Sequence, residues 1–226
     1  MIKNIVFDIG GVLVDFNPRY LYRTILDDNQ DIEHLLTHIC TPEWNHTLDL
    51  GRSWDDASVE LKNKYPEKSY LIDLYWERWL DMFSGPIHET VDILMDVKRR
   101  GYPVYALSNW NDKKFVVALK EFPFLGLFDG RIVSGEVKLA KPDPAIYKLL
   151  LESYRLNPRE TLFIDDLPKN IQAARDLGFE AIQFISPRDL EERMTAYGIF
   201  PQKTESDMGE HDESVGCGRG CSCHSR

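Results

Sequence analysis

Polar and charged side chains stand at or just beyond the ends of four short apolar segments of this chain. In chain order these residues are Asp8, Ser108, Asn109, Lys141, Asp165 and Asp166. Carboxylates from two segments offer the hard oxygen ligands that Mg²⁺ prefers, and a lysine, a hydroxyl and backbone amides suit a phosphate group. Ligands of an open parallel sheet bind beyond the carboxyl ends of its strands. If the segments are such strands, the set predicts a phosphoryl-transfer site.

Alternating strand and helix patterns are expected to position these residues. Short apolar, β-branched segments that indicate buried strands occupy residues 2–7, 102–107, 131–133, 161–164 and 181–184. Helical patterns occupy residues 89–100, 113–121, 144–154 and 169–177. Gly101 and Gly178 follow the first and last of these helices, where a glycine is favoured. This alternation predicts an α/β fold with a doubly wound parallel sheet.

Residues 17–86 interrupt the alternation, because they contain amphipathic helical patterns and no convincing strand. The predicted helices cover residues 19–26, 32–40, 54–64 and 69–83. A crossover between two strands needs only one helix, so we interpret this stretch as an inserted all-helical module. Its tryptophans are Trp44, Trp54, Trp76 and Trp79. Most of them are expected to pack in a core, while one that faces the main domain would contact substrate.

The composition restricts the class of protein and its partners. Hydrophobic residues make up 43% and charged residues 28%, as in soluble globular proteins. The net charge of −10 disfavours binding to nucleic acid or anionic lipid. No apolar run approaches the roughly 18 residues of a membrane helix, and Asp8 and Asp15 interrupt the apolar N-terminus. We therefore expect a cytoplasmic protein, without nucleic-acid or membrane partners, whose oligomeric state the sequence does not indicate.

The last residues, 201–226, differ from the rest of the chain. They contain no Leu, Ile, Phe, Tyr or Trp, so they are predicted to form a flexible tail. Thiol and imidazole groups in this tail are suited to Zn²⁺ or Cu⁺, and they belong to Cys217, Cys221, Cys223 and His224. Their spacing matches no zinc module, so an unstructured reactive end and a soft metal site both stay open. Cys40 is the other cysteine, so the body has no internal disulfide.

Four motifs in order, FDIGGVL, LSNW, KPDP and FIDD, resemble those of the haloacid dehalogenase (HAD) superfamily over about residues 1–198. The helical insertion is similar to the type 1 helical cap of that superfamily. The glycine at position 10, with SNW and DDLPKN, resembles a branch of sugar phosphatases typified by alpha-D-glucose-1-phosphate phosphatase. The resemblance implies a Rossmann-like core of residues 1–16 and 87–200 and a cap of residues 17–86. It also implies a Mg²⁺-dependent phosphatase for a small phosphate monoester, such as glucose-1-phosphate.

The resemblance implies a role for each acidic residue. Asp8 would attack phosphorus and form an aspartyl-phosphate, which splits a difficult hydrolysis into two steps. Mg²⁺ would be held by Asp8, the backbone carbonyl of Gly10 and Asp166. Asp165 would bind it directly or through water. The metal would offset the repulsion between the carboxylate nucleophile and the phosphate anion.

The remaining motif residues are implied to hold the phosphoryl group. Ser108 and backbone amides near Asn109 would bind its oxygens, and Lys141 would offset charge on the nucleophile and the phosphate. Lys138 is a weaker candidate for that lysine, because no proline follows it. Asn170 lies one helical turn beyond the acidic pair, where it would steady both carboxylates.

Substrate specificity is expected to reside in the cap and in Trp110. Trp110 would stack on a sugar face or pack under the cap. Within the cap, PEWNHTLDLGRS is the predicted substrate loop, because polar residues surround Trp44 and a glycine-containing turn ends the segment. Trp44, Asp49 and Arg52 are its candidate substrate contacts.

Gly10 departs from the commonest pattern of the superfamily, which has a second Asp there as general acid and base. The dehalogenase members also lack that Asp, so one alternative is a 2-haloacid dehalogenase in which Asp8 attacks carbon. The pair Asp165-Asp166 disfavours this alternative, because dehalogenases need no metal and two carboxylates would repel a substrate carboxylate. Another alternative is a non-catalytic sensor of phosphorylated ligands that has kept the pocket and lost turnover.

Overall fold

A five-stranded parallel sheet forms the centre of the protein, for which a computed structural model describes residues 1–202. Its strands are β1 (Asn4–Phe7), β4 (Val104–Ser108), β5 (Gly130–Val133), β6 (Thr161–Asp165) and β7 (Glu180–Gln183). They lie in the order β5-β4-β1-β6-β7, and every neighbouring pair is parallel. The predicted doubly wound α/β fold is therefore confirmed. The strand ends differ from the predicted ones by at most two residues.

Helices cover both faces of the sheet. The helices of this part of the chain are α6 (His88–Arg99), α7 (Asp112–Glu121), α8 (Ser134–Val137), α9 (Pro144–Tyr154), α10 (Pro168–Asp176) and α11 (Pro187–Ala196). In β1, Ile5 and Phe7 join one hydrophobic cluster while Val6 joins the other. Successive strand side chains point to opposite faces, so this strand is buried on both. That explains why it is apolar throughout.

The helical insertion consists of five α-helices between β2 (Val14–Phe16) and β3 (Phe83–Pro86). They are α1 (Arg19–Tyr22), α2 (Asn29–His34), α3 (Pro42–Asp49), α4 (Trp54–Lys64) and α5 (Ser69–Glu77). A π-helical turn, Leu35–Ile39, extends α2, and a 3₁₀ turn, Trp79–Met82, follows α5. The assignment of residues 1–16 and 87–200 to a core and of 17–86 to a cap stays a prediction.

The prediction that residues 17–86 contain no strand is wrong at Phe83–Pro86. This segment pairs antiparallel with Val14–Phe16 and forms a two-stranded ribbon where the chain enters and leaves the insertion. With a glycine and a proline among four residues, FSGP is too short and too irregular to show strand alternation. Its stability as a strand comes from its partner, which is distant in sequence.

Hydrogen bonds dock the insertion on the sheet domain. Side chains of the sheet domain donate to carbonyl oxygens of the insertion: Asn111 to Leu48 (2.9 Å), Ser134 to Asp49 (2.6 Å) and Lys114 to Trp76 (2.6 Å). The ammonium of Lys114 also lies 4.2 Å from the centroid of the Trp76 ring. These contacts hold α3 and α5 over the carboxyl edge of the sheet.

The predicted tail lies outside the described residues, apart from residues 201 and 202, which are exposed. The candidate soft-metal set of Cys217, Cys221, Cys223 and His224 is therefore not described. Within residues 1–202, no helix combines the length and the apolar character that crossing a membrane requires.

Candidate active site

Three carboxylates converge at the carboxyl edge of the sheet. Asp8 follows β1 directly, Asp165 is the last residue of β6, and Asp166 comes next. The two strands are adjacent, with Phe7 opposite Ile164, so their register places the first two acids side by side. One oxygen from each of the three carboxylates lies within 4.8 Å of the others. Asp8 is 7% exposed and Asp165 is fully buried.

Lys141 is buried and forms an ion pair with two of these acids. Its ammonium lies 2.9 Å from Oδ1 of Asp8 and 2.7 Å from Oδ2 of Asp165, and the residue is 1% exposed. Burial alone would lower the pKa of Lys141, but the carboxylates of Asp165 and Asp8 outweigh this effect and raise the pKa. The lysine is therefore a fixed positive charge between them.

Asparagine side chains hold this arrangement in place. Asn109 accepts from the backbone N–H of Lys141 (2.8 Å) and donates to its carbonyl (2.9 Å). The side-chain amide of Asn170 donates to the two carboxylate oxygens of Asp165, at 2.9 and 3.1 Å. Asn170 is expected to steady both acids of the pair, and these contacts reach Asp165. Backbone amides near Asn109 are predicted from the sequence to bind phosphate, but the hydrogen bonds from its side chain to Lys141 are not.

Two acids of the site, Asp8 and Asp166, resist ionisation. Burial raises the pKa of Asp8 to about 7; Lys141 opposes this change, while Asp165 and Asp166 add to it. Burial, with the charge of Asp165, also raises the pKa of Asp166. One lysine cannot balance three carboxylates, so the site is short of positive charge. A divalent cation fits this deficit, and carboxylate oxygens are the ligands that Mg²⁺ prefers.

Gly11 makes room for the third acid. Its φ of 73° lies in the left-handed region, which glycine adopts without strain. A Cβ atom at this position would lie 2.6 Å from Oδ2 of Asp166. The missing side chain therefore lets Asp166 approach the turn after β1, as a metal site built from both segments requires. The neighbouring Gly10, the predicted carbonyl ligand, lines a cavity beside these acids.

A cavity of about 260 Å³ opens above the acids. Ser108, Asn109 and Lys141 line it together with Asp8 and Asp166. An aromatic wall, which we define as Phe16, Trp79, Phe83 and Trp110, closes one side of it. Within this wall the rings of Trp110 and Phe83 stack, with centroids 5.9 Å apart. Trp110 thus both faces the cavity and packs under the insertion.

Helix α3 adds polar side chains to the cavity wall. Asn45 and Asp49 lie one helical turn apart and both line the cavity. Burial raises the pKa of Asp49 to about 8, although a hydrogen bond from the backbone of Asn111 acts in the opposite direction. Asp49 was a predicted substrate contact. Asn45 is not among the predicted substrate contacts. Its position one helical turn before Asp49 is the sequence signal that would have indicated it.

Two predicted substrate contacts, Trp44 and Arg52, do not line the cavity. Most of PEWNHTLDLGRS is helix α3 and not a loop, because Thr41 caps the helix and Pro42 starts it. Trp44 is buried and its indole N–H donates to the carbonyl of Ala57 (3.2 Å), so it packs within the insertion and does not line the cavity. Arg52 pairs with Glu60 at 2.5 Å. The structure therefore corrects the assignments of Trp44 and Arg52.

Lys138, the weaker lysine candidate, does not line the cavity either. It has a φ of 60° at the end of α8, and its ammonium donates to the carbonyl of Gly135. Lys141 is thus the lysine that the structure brings to the acids.

Comparison with known proteins defines the class. The family model of haloacid dehalogenase-like hydrolases matches residues 2–178, so the chain belongs to this family of hydrolases. The chain is 28% identical over 204 residues to a D-ribitol-5-phosphate phosphatase of Bacteroides thetaiotaomicron, covering 86% of this chain and 98% of the relative. It is 30% identical over 147 residues to (S)-2-haloacid dehalogenase 4A of Burkholderia cepacia, covering 62% of this chain and 63% of that relative.

A solved structure is also similar. A HAD family enzyme of Bacteroides thetaiotaomicron, in complex with magnesium and inorganic phosphate, matches with a TM-score of 0.62 and 25% sequence identity. The match covers 82% of this chain and 96% of that protein. The family and fold that the sequence motifs indicate are therefore confirmed.

Proposed function

We propose that this protein is a Mg²⁺-dependent phosphatase that hydrolyses a small phosphate monoester through an aspartyl-phosphate on Asp8. The observation that carries this proposal is the convergence of Asp8, Asp165 and Asp166 around the buried Lys141 at the base of one cavity. The D-ribitol-5-phosphate phosphatase among the relatives, and the magnesium and phosphate in the similar structure, support it. Residues 17–86 would form the cap over the site.

The hydrogen bonds of Asp8 support an attack by one of its two oxygens. Both the backbone N–H of Ile9 (2.7 Å) and the ammonium of Lys141 (2.9 Å) contact Oδ1. Oδ2 thus remains available to attack phosphorus, while the bond from phosphorus to the leaving oxygen breaks. Water then cleaves the aspartyl-phosphate and restores the carboxylate.

Positive charge and hydrogen-bond donors would stabilise the transferring phosphoryl group. Ser108 and Lys141 line the cavity with Asp8, and they would contact phosphoryl oxygens. Asp8, Asp166 and the carbonyl of Gly10 would hold Mg²⁺, with Asp165 beside them. When bound, this ion supplies charge that offsets the repulsion between a carboxylate and a phosphate dianion.

The cavity favours a sugar or polyol phosphate. Its volume of about 260 Å³ suits a small metabolite. The aromatic wall offers an apolar surface for a sugar ring or carbon chain, and Asn45 and Asp49 offer partners for hydroxyl groups. Glucose-1-phosphate and D-ribitol-5-phosphate are therefore the first substrates to test. The cytoplasmic location stays part of this proposal.

Phosphate release from a panel of sugar, polyol and aryl phosphates, with Mg²⁺ or with chelator, tests the proposal. We expect release that chelator abolishes and that Asp8→Asn lowers by several orders of magnitude. Asp55→Asn, an exposed residue of α4, is the matched control and should match the wild type. Asp8→Asn should also keep a melting temperature close to that of the wild type, because the change is nearly isosteric and Lys141 keeps Asp165 as its partner. The raised pKa of Asp8 also means that the fold does not favour its charge.

The alternatives have distinct outcomes in the same assay. Halide release from a 2-haloacid that chelator does not affect would indicate a dehalogenase, the class to which the Burkholderia relative belongs. Binding of phosphate esters in the presence of Mg²⁺, with no release of phosphate in a single turnover, would indicate a sensor. Either outcome would contradict the proposed phosphatase.

A further inference from the structure

The carboxyl group of Asp49 is held in the cavity by its own helix and by the sheet domain. It is the last residue of α3, and its Oδ2 accepts a hydrogen bond from the side chain of Asn45 (2.9 Å). Its backbone carbonyl accepts from the hydroxyl of Ser134 (2.6 Å). The preceding residue, Leu48, accepts from Asn111 (2.9 Å). Asp49 therefore belongs to a fixed part of the insertion and is not on a free loop.

Asp49 lines the same cavity as the nucleophile but belongs to the insertion. Asp8, Ser108 and Asp166 stand at the carboxyl edge of the sheet, whereas Asp49 is supplied by the insertion. In phosphoryl transfer the attacking and leaving oxygens are roughly in line with phosphorus. A leaving oxygen therefore departs away from the sheet edge and toward the insertion. The water of the second step approaches along the same path.

The departing alkoxide needs a proton, and few groups can supply it. In the described part of the chain, the titratable residues that line the cavity are Asp8, Asp49, Lys141 and Asp166. The first is the nucleophile, Lys141 is bound between two carboxylates, and Asp166 belongs to the acidic cluster. Gly10 has no side chain. Asp49 is the group that remains.

Asp15 is the other nearby acid and is already engaged. Its Oδ2 accepts hydrogen bonds from the hydroxyls of Tyr20 (2.7 Å) and Ser84 (2.6 Å), and it does not line the cavity. These contacts hold Asp15 in the ribbon of β2 and β3. Asp15 is therefore not placed to reach the leaving oxygen.

We propose that Asp49 is the general acid and general base of this enzyme, an inference that rests on the proposed phosphatase function. As Asp8 bonds to phosphorus, the bond from phosphorus to the leaving oxygen breaks and that oxygen takes the proton of the Asp49 carboxyl. The Asp49 carboxylate then takes a proton from water as the water oxygen bonds to phosphorus. The bond from phosphorus to Asp8 breaks, phosphate leaves, and both carboxyl groups return to their starting states.

The electrostatic surroundings of Asp49 agree with this role. Burial raises its pKa to about 8, so the carboxyl carries a proton at neutral pH, as a general acid must. The titratable group facing it from α5 is Tyr75, whose pKa is raised well above its usual value by burial first and then by Asp49. Tyr75 therefore stays neutral and adds no charge beside Asp49.

Dependence on the leaving group tests the proposal. A primary alkoxide needs a proton to leave, whereas 4-nitrophenolate leaves readily as an anion. We expect Asp49→Asn to lower kcat/KM for glucose-6-phosphate and D-ribitol-5-phosphate by about 10²–10⁴-fold. For 4-nitrophenyl phosphate the kcat/KM of the same variant should stay within a few fold of the wild type, because this quantity reports only the first step. Its kcat should fall, because hydrolysis of the aspartyl-phosphate still needs the general base. Asp55→Asn should match the wild type on all three substrates.

A structural role for Asp49 would give a different result. Asn has the size of the protonated acid and can still accept from Asn45, so the variant should keep its melting temperature. An equal loss of kcat/KM on alkyl and aryl substrates, or no loss of kcat/KM on either, overturns the general-acid role. If the wild-type protein hydrolyses 4-nitrophenyl phosphate but no alkyl phosphate, the general-acid role is also overturned. The phosphatase proposal would then remain intact. Absence of wild-type activity on every phosphate ester contradicts the phosphatase proposal itself.

Discussion

Replacing Lys141 by Met removes the positive charge at the centre of the site without opening a large cavity, because both side chains are unbranched. The lysine is 1% exposed and contacts Asp8 and Asp165 at 2.9 and 2.7 Å. Without it, two buried carboxylates lose their shared partner. The protein must then either keep uncompensated charge in its interior or take up protons.

The expected loss of stability is large. Removing one partner of a buried ion pair costs about 3–5 kcal/mol. For a protein of this length, 1 kcal/mol corresponds to about 2–4 °C in melting temperature, so we expect a decrease of about 6–20 °C. Lys148→Met is the matched control, because Lys148 is exposed on α9, and it should stay within about 0.5 kcal/mol of the wild type.

The loss of stability in Lys141→Met should increase with pH. Burial raises the pKa of Asp8 to about 7, above its usual 3.8, so Asp8 stabilises the fold in acid and loses this contribution as pH rises through 7. Removing Lys141 raises this pKa further, because the attraction that opposes burial disappears. The difference between variant and wild type should thus be larger at about pH 7.5 than at about pH 5.

Urea unfolding of both proteins in chelator, followed by circular dichroism at the two pH values, measures this difference. A variant as stable as the wild type at both values would refute the reasoning. So would a deficit that grows toward acid pH, because the burial of unpaired carboxylates cannot produce it.

The remaining predictions concern three neighbours of the acids. Gly11→Ala should raise the Mg²⁺ concentration needed for half-maximal rate, because its Cβ would lie 2.6 Å from Oδ2 of Asp166; the rate as a function of Mg²⁺ measures this. Asn109→Ala should lower stability in urea by about 1–3 kcal/mol, since it removes two hydrogen bonds to the backbone of Lys141. Apart from its chain neighbours, no described residue has an atom within 4 Å of a Cβ built on Gly10, so Gly10→Asp has room for a new acid. In an Asp49→Asn background it should restore part of the kcat/KM for glucose-6-phosphate.

The central sheet and the acidic cluster were accessible to sequence reasoning for the same physical reason. A strand buried on both faces is apolar throughout, so the first polar residue after it, such as Asp8, is conspicuous. The carboxyl ends of adjacent parallel strands meet at one edge, which brings Asp165 beside Asp8 although the sequence separates them widely. Local pattern and a general rule of topology were sufficient here.

The residues that line the cavity could not be predicted in this way. Amphipathic spacing shows that a residue of the insertion is buried, but not whether it packs inside the insertion or faces the sheet. Trp44 and Trp79 therefore looked equivalent, and the structure places only the second in the cavity. The hydrogen bonds of Asn109 to Lys141 span 32 residues and depend on how two loops meet, so no local signal reveals them.

The formation of a phosphorylated Asp8 is the most direct test of the central claim. The wild-type protein is mixed with a substrate from the active panel and Mg²⁺, quenched in acid within the first turnover, and analysed by peptide mass spectrometry. We expect the mass of one phosphoryl group on the peptide that contains Asp8, and its absence with chelator or in Asp8→Asn. Release of phosphate without this adduct, at a rate that Asp8→Asn leaves intact, would contradict the account.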